Sequence, residues 1–159
     1  MTTSIRPATS ADVPVIAELI RALARFERLE DEVVMTEELL ERALFGQRPY
    51  AEVLLAEDDG RPVGFALFFH NFSTFLGRPG IYLEDLFVVP AHRGRGVGRD
   101  LLVHLARLAV ERECGRLEWA VLNWNQEAIR FYERLGAHPN SDWTVYRLTG
   151  EALSSLAGE

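Results

Sequence analysis

The chain of 159 residues contains no lysine; all 17 of its basic residues are arginine. This excludes a Schiff-base amine, a pyridoxal phosphate anchor, a Walker-type phosphate lysine and the phosphate lysine of kinases. Arginine-favouring codon usage accounts for the bias, and the exclusions hold whatever its cause. A single cysteine, Cys114, rules out an intrachain disulfide and a cysteine-based zinc cluster. The histidines, His70, His92, His104 and His138, show no HExxH or other ligand spacing, so no metal is expected. No apolar run approaches the roughly 18 residues of a membrane span, and the N-terminus has no signal-peptide core. A cytoplasmic protein without membrane attachment is therefore expected. The net charge of −7 argues against nucleic-acid binding, which requires a basic face.

What is present fits one globular domain over residues 1–159. Hydrophobic residues make up 48% and charged residues 26%, and a chain of this length buries enough surface to fold without a covalent or metal staple. The charge is unevenly placed. Between Glu27 and Glu41 stand Glu27, Glu30, Asp31, Glu32, Glu37, Glu38 and Glu41 against Arg28 alone, a balance of −6 that leaves −1 for the rest. Most of these acids fit a solvated helix face, with Glu27 the exception discussed below.

Ser4–Pro7 reads as a first strand. Thr9, Ser10 and Asp12 offer N-cap chemistry ahead of an amphipathic helix with Ile16, Leu19, Ile20, Leu23 and Phe26 on one face. Thr36 caps a second helix ending at Phe45–Gly46. The apolar runs 51–57 and 62–72 flank Asp58-Asp59-Gly60-Arg61, a hairpin signature, and 73–79 is a loop. Ile81–Val89 is a strand ended by Pro90. Gly98–Cys114 is a helix closed by Gly115, and Leu117–Leu122 a strand parallel to 81–89. Asn125 caps a helix through Leu135, and Thr144–Leu148 is a last strand. The order β-α-α-β-β-β-α-β-α-β predicts an α/β fold with a mixed central sheet flanked by helices.

The most informative segment is Arg93-Gly94-Arg95-Gly96-Val97-Gly98-Arg99, between a strand and a long helix. Its glycines permit positive φ, so backbone N–H groups can converge on a ligand, and the helix N-terminus and three arginines add positive potential. This is an anion site suited to a pyrophosphate. The Rossmann pattern fails, because the residue three after Gly96 is Arg99, and a Walker loop fails for want of lysine. The segment resembles the R-x-x-G-x-G/A acetyl-CoA motif of the GNAT acetyltransferases, with Arg93, Gly96 and Gly98 at its fixed positions, and the element order matches that superfamily. IRPAT near the start, Phe26-Glu27, TEELL at 36–40, VGFALFF at 63–69, YLEDLFV at 82–88 and WNQEAIRFYERLGA at 124–137 resemble more closely the spermidine/spermine (diamine) N-acetyltransferase subgroup. The segments 71–80 and 138–143 depart from the polyamine enzymes' pattern, and such segments help shape the acceptor pocket.

The resemblance implies an N-acetyltransferase that moves the acetyl group of acetyl-CoA to a primary amine of a small molecule, a diamine or polyamine. An amino-acid-like amine such as thialysine, a protein amine, or a non-catalytic acetyl-CoA sensor are the alternatives. An alkylamine is neutral in only about one molecule in 2,500 at pH 7, so forming the nucleophile costs about 4.6 kcal/mol without a proton sink. Glu84 is the candidate base, through water, with Asp85 beside it; consecutive strand residues point to opposite faces unless a bulge intervenes. Phe26 and Glu27 are candidates to cover the acceptor's alkyl chain and attract its charge. By resemblance Tyr132 is the general acid for the departing thiolate, and Asn125 contacts the CoA arm as well as capping its helix. Leu86, Phe87 and Val88 would pair with the pantetheine as an added strand. Arg93 to Arg99 would hold the pyrophosphate. A homodimer is likewise implied by the resemblance.

Overall fold

A computed structural model describes residues 3–159, which divide into two compact units, one up to Ala120 and the other Val121–Glu159. The first holds a five-stranded mixed sheet in the order β1-β2-β3-β4-β5. β1 is Thr3–Pro7, β2 Glu52–Asp58, β3 Arg61–Ser73, β4 Arg78–Val88 and β5 Leu117–Trp119. The first four strands pair antiparallel, and β5 joins β4 in parallel as expected. In the β2–β3 turn Asp59 and Gly60 both have positive φ (51° and 80°), the geometry that the sequence signals and that matches the twist of a two-residue hairpin.

Three helices cover the sheet: α1 (Val13–Phe26), α2 (Glu37–Phe45) and α3 (Val97–Glu111). Thr9 and Asp12 form a capping box around a 3₁₀ turn that leads into α1, where Pro14 is tolerated because a first-turn N–H has no intrahelical partner. Arg6 ties this turn to the sheet by bridging Asp12 and Glu57, each at 2.8 Å. The Thr36 hydroxyl accepts from the Leu39 N–H at 3.2 Å and starts α2. The apolar stripe of α1 (Val13, Ile16, Ala17, Leu19, Leu23) meets Leu40 and Leu44 of α2 and Val53, Leu55, Phe65 and Phe87 of the sheet. Complete burial of side chains such as Ile16, Leu55 and Phe65 is worth about 1.5–3 kcal/mol each, and this fixes which face of each strand turns inward. On α3 the buried residues are Val97, Leu101, Leu102, Leu105 and Ala109.

The structure corrects the sequence reading at several places. β3 and β4 run on through the expected 73–79 loop, leaving only residues 74–77 as the turn. α3 closes at Glu113, a non-glycine residue at φ 57°, with Cys114 N–H bonded to the Ala109 carbonyl (2.8 Å) and Glu113 N–H to that of Val110 (3.1 Å). Gly115 is therefore not the cap; it donates to the Pro79 carbonyl at 2.9 Å. β5 is only three residues long.

The second unit contains α4 (Gln126–Arg134) and α5 (Gly150–Leu156), the latter unforeseen. Asn125 caps α4, its Oδ1 accepting from the Ala128 N–H at 3.2 Å, and Gly136 at φ 94° follows the helix end. The strand expected at Thr144–Leu148 does not form. A strand exists through its ladder, and this unit contains no other strand to supply one; Val145 and Tyr146 are 88% and 92% exposed. Among the described residues no helix is long and apolar enough to cross a membrane, and no group of three His, Cys, Asp or Glu side chains is placed to hold a metal ion.

Candidate active site

The register of β4 against β3 slips at one point. Leu67 faces Asp85 and Phe68 faces Leu83, so Glu84 is an extra residue opposite no partner, a β-bulge. The bulge reverses the alternation of the strand. Leu83 lies on the same face as its partner Phe68, whereas Asp85 joins Phe87 on the face covered by α1 and α2. Glu84 is left exposed and Asp85 half-buried. The expectation that the two carboxylates point to opposite faces held for an unbroken strand; the bulge at Glu84 breaks that alternation.

Asp85 consequently sits in an unfavourable place for a negative charge. Burial raises its pKa to about 6, and the negative charges of Glu84 and then Glu27 push the same way. Glu27, just beyond the end of α1, is itself raised by burial. Asp85 thus feels the charge of two other carboxylates, one beside it on β4 and one from the α1 terminus. Tyr82, unassigned by the sequence reading, adjoins them. Its ring packs against Phe69 at 5.3 Å, and burial followed by the charges of Glu84 and Glu118 raises its phenol. Its place two residues before Glu84 was the only signal available.

The ladder between β4 and β5 ends at Leu83, immediately before the bulge. Leu86, Phe87 and Val88 keep β3 on one side and have no ladder partner on the other among the described residues. An open edge of this kind can accept an extended ligand as an added strand. β4 then leads through a 3₁₀ turn at Pro90–His92 into the glycine-rich segment. His92 Nε2 lies 3.1 Å from Asp58 Oδ2 and so fastens this turn to the β2–β3 hairpin, a contact no ligand spacing could have suggested.

Gly94 and Gly96 have φ of 75° and 85°, and no atom beyond the adjoining residues lies within 4 Å of where a Cβ on either would stand. Gly96 is the N-cap of α3 and carries no side-chain cap, so the free N–H groups of the first turn remain to be satisfied from outside. With Arg95 and Arg99 on the same turn, the donors and the charge suit a pyrophosphate. Gly98 differs in kind. It is helical, and a Cβ there would meet only Val88 Cγ2 at an ordinary 3.8 Å. We therefore expect Gly96→Ala to weaken acetyl-CoA binding about tenfold, because a left-handed alanine costs about 1–2 kcal/mol and displaces the cradle. Gly98→Ala should leave the affinity within about twofold and raise helix stability by about 0.5–1 kcal/mol. Titration calorimetry and thermal melts of the two variants check this contrast.

Arg93 is placed differently from its neighbours: its Nε donates to the Val88 carbonyl at 2.9 Å and its guanidinium lies over Phe26. The first unit thus brings together Phe26, Glu27, Glu84, Asp85, Leu86–Val88 and Arg93–Arg99. Asn125 and Tyr132 belong to the second unit, on α4, seven residues apart and so near one helical face, with the Tyr132 ring 5.4 Å from that of Phe131.

The model of the acetyltransferase (GNAT) family matches residues 16–137, which contain every one of these residues. The chain belongs to the GNAT family. Among its curated relatives, thialysine N-epsilon-acetyltransferase of Bos taurus is 39% identical over 98% of this chain and 97% of its own length. Spermidine/spermine N(1)-acetyltransferase-like protein 1 of Homo sapiens is 34% identical over 98% of this chain and 24% of its own. Among solved structures, an integron cassette protein from the mobile metagenome of V. cholerae superposes with a TM-score of 0.83 at 27% identity, covering 100% of this chain and 99% of that one. As a GNAT protein the chain is an N-acetyltransferase, and GNAT enzymes use acetyl-CoA as co-substrate.

Proposed function

We propose that this acetyltransferase acts on the primary amine of a small cationic acceptor, a diamine or polyamine, by direct attack with both substrates bound. The observation that supports this reading is the bulge at Glu84, next to an Asp85 that feels the negative charges of both Glu84 and Glu27. The burial and neighbouring charges that raise the pKa of Asp85 are costly for the fold, and a bound ammonium relieves that cost. Phe26, next to Glu27 and partly exposed, offers cover for an alkyl chain.

Acetyl-CoA supplies the activated acetyl thioester. The chain's own groups do the rest. Leu86–Val88 line the open edge along which an extended arm can lie, and the Gly94–Arg99 turn offers N–H donors to the phosphates. Deprotonation of the ammonium falls to the carboxylate pair. The sequence favoured Glu84 as base; the raised pKa of Asp85 supports Asp85 in that role. A base is most effective when its pKa lies near the working pH, and Asp85 at about 6 meets that condition. Glu84, exposed on the bulge, is positioned to hand the proton on to water. Tyr132 donates to the departing thiolate, and Asn125 orders the start of the helix that bears it.

An amino-acid amine is the second reading, favoured by the named activity of the bovine relative. The two differ by one carboxylate on the acceptor. A thiol-release assay with putrescine, spermidine, thialysine and ornithine separates them: the first reading predicts higher kcat/KM for the acceptors without a carboxylate, and the reverse order selects the second. The family match runs across both units of the chain, which supports treating residues 1–159 as one working domain.

A further inference from the structure

The side chain of Arg93 folds back from the turn it opens. Its Nε donates to the Val88 carbonyl at 2.9 Å, at the end of β4. Its guanidinium carbon stands 4.4 Å from the ring centre of Phe26 and 5.3 Å from that of Phe87. Phe87 is buried in the core under α1 and α2, whereas Phe26 is the last residue of α1 and 40% exposed. One planar cation therefore links the rigid end of β4 to the end of α1, immediately before Glu27.

That end of α1 lies directly beneath the guanidinium. It closes with Arg28 in the left-handed region at φ 62°, the Leu29 N–H bonded to the Ala24 carbonyl at 2.8 Å and the Glu27 N–H to that of Leu23 at 2.9 Å. Leu29 is 41% exposed, and the acidic connection to α2 follows. Helix ends fray unless tied by a cap or by packing, and the guanidinium over Phe26 adds packing at this one. An arginine can lie over a ring and donate hydrogen bonds in the plane of its own guanidinium at once, a combination that a lysine ammonium lacks.

We infer that Arg93 is a positioning residue for the amine acceptor: it pins Phe26, and with it the adjoining Glu27, against the end of β4. The phosphates are left to the N–H groups of the turn and to Arg95 and Arg99. This role rests on the reading of the carboxylate cluster as the acceptor site.

The test uses the full chain with Arg93→Leu and Arg93→Lys. For Arg93→Leu the acceptor KM rises about five- to tenfold with kcat within about twofold, and the acetyl-CoA Kd by calorimetry changes less than about twofold. Amide exchange at Glu27 and Leu29 accelerates about tenfold. Arg93→Lys, which keeps a cation over Phe26 but loses the planar donor, falls between the two. An acetyl-CoA Kd that rises as much as the acceptor KM makes Arg93 a phosphate ligand and overturns the inference; so does unchanged exchange at Glu27 and Leu29. If no amine is turned over, the acceptor reading fails separately, and the exchange rates still decide whether Arg93 holds the end of α1.

Discussion

Asp85→Asn is expected to make the protein more stable and nearly inactive. Both effects follow from the same placement. The carboxyl of Asp85 is raised from 3.8 to about 6 by burial and by the charges of Glu84 and Glu27. A carboxyl raised in the folded state binds its proton more tightly there than in the unfolded chain, so its ionisation destabilises the fold as pH rises from about 4 through 6. At pH 8 it is ionised in both states, and the penalty is about 2–3 kcal/mol. Asparagine removes the charge and keeps the shape, so chemical denaturation at pH 8 should show that gain, shrinking to nothing below about pH 4. Activity moves the other way. Loss of a general base costs about a hundredfold or more in kcat/KM, and the limb near pH 6 in the pH profile disappears. Glu84→Gln makes the complementary test. It removes one of the charges that raise Asp85, so the acidic limb moves to lower pH while most activity is kept. If Glu84→Gln abolishes the limb and Asp85→Asn only shifts it, the two roles are exchanged.

Tyr132→Phe is expected to lower kcat about a hundredfold and leave the acetyl-CoA Kd within about twofold. Proton transfer from an ordinary phenol to an ordinary thiolate is uphill by about 2 kcal/mol, yet it spares the reaction a free thiolate leaving group, and general acids of this kind contribute about 10²–10⁴. The ring's packing on Phe131 is preserved in phenylalanine, so a loss confined to kcat isolates the hydroxyl. Rapid-quench measurement of the acetylation step separates this from slow product release. A kcat that survives the change assigns the acid elsewhere.

The parts of this protein legible in its sequence are those set by local backbone chemistry. Asp59-Gly60 announces its hairpin because few residues tolerate two successive positive φ angles. Thr36 and Asn125 announce their helices because a side-chain oxygen must meet an orphan N–H. The glycine-rich turn announces an anion site for the same reason in reverse, since its donors are left open. The parts that were not legible depend on partners distant in sequence. Both faces of β4 are covered by helices, so IYLEDLFVV reads as nearly continuously apolar, and an extra residue at Glu84 leaves no break in a pattern that never alternated. Thr144–Leu148 has the composition of a strand and no ladder within its unit. Glu113 takes the left-handed position that Gly115 was expected to fill, because the helix end is fixed by where its last carbonyls find donors. Arg93 belongs by spacing to the phosphate motif, and only the fold shows its guanidinium on Phe26.

The central claim, that a bulge-built carboxylate cluster presents a small cationic amine to acetyl-CoA, is tested most directly by thiol release from acetyl-CoA across a panel of small amines, with acetylated product identified by mass. The account predicts turnover of at least one primary diamine, polyamine or amino-acid side-chain amine, with one thiol released per amine acetylated and with the rate falling about a hundredfold in Asp85→Asn. Protection of the protein by acetyl-CoA against heating, with no turnover of any amine in the panel, would contradict it.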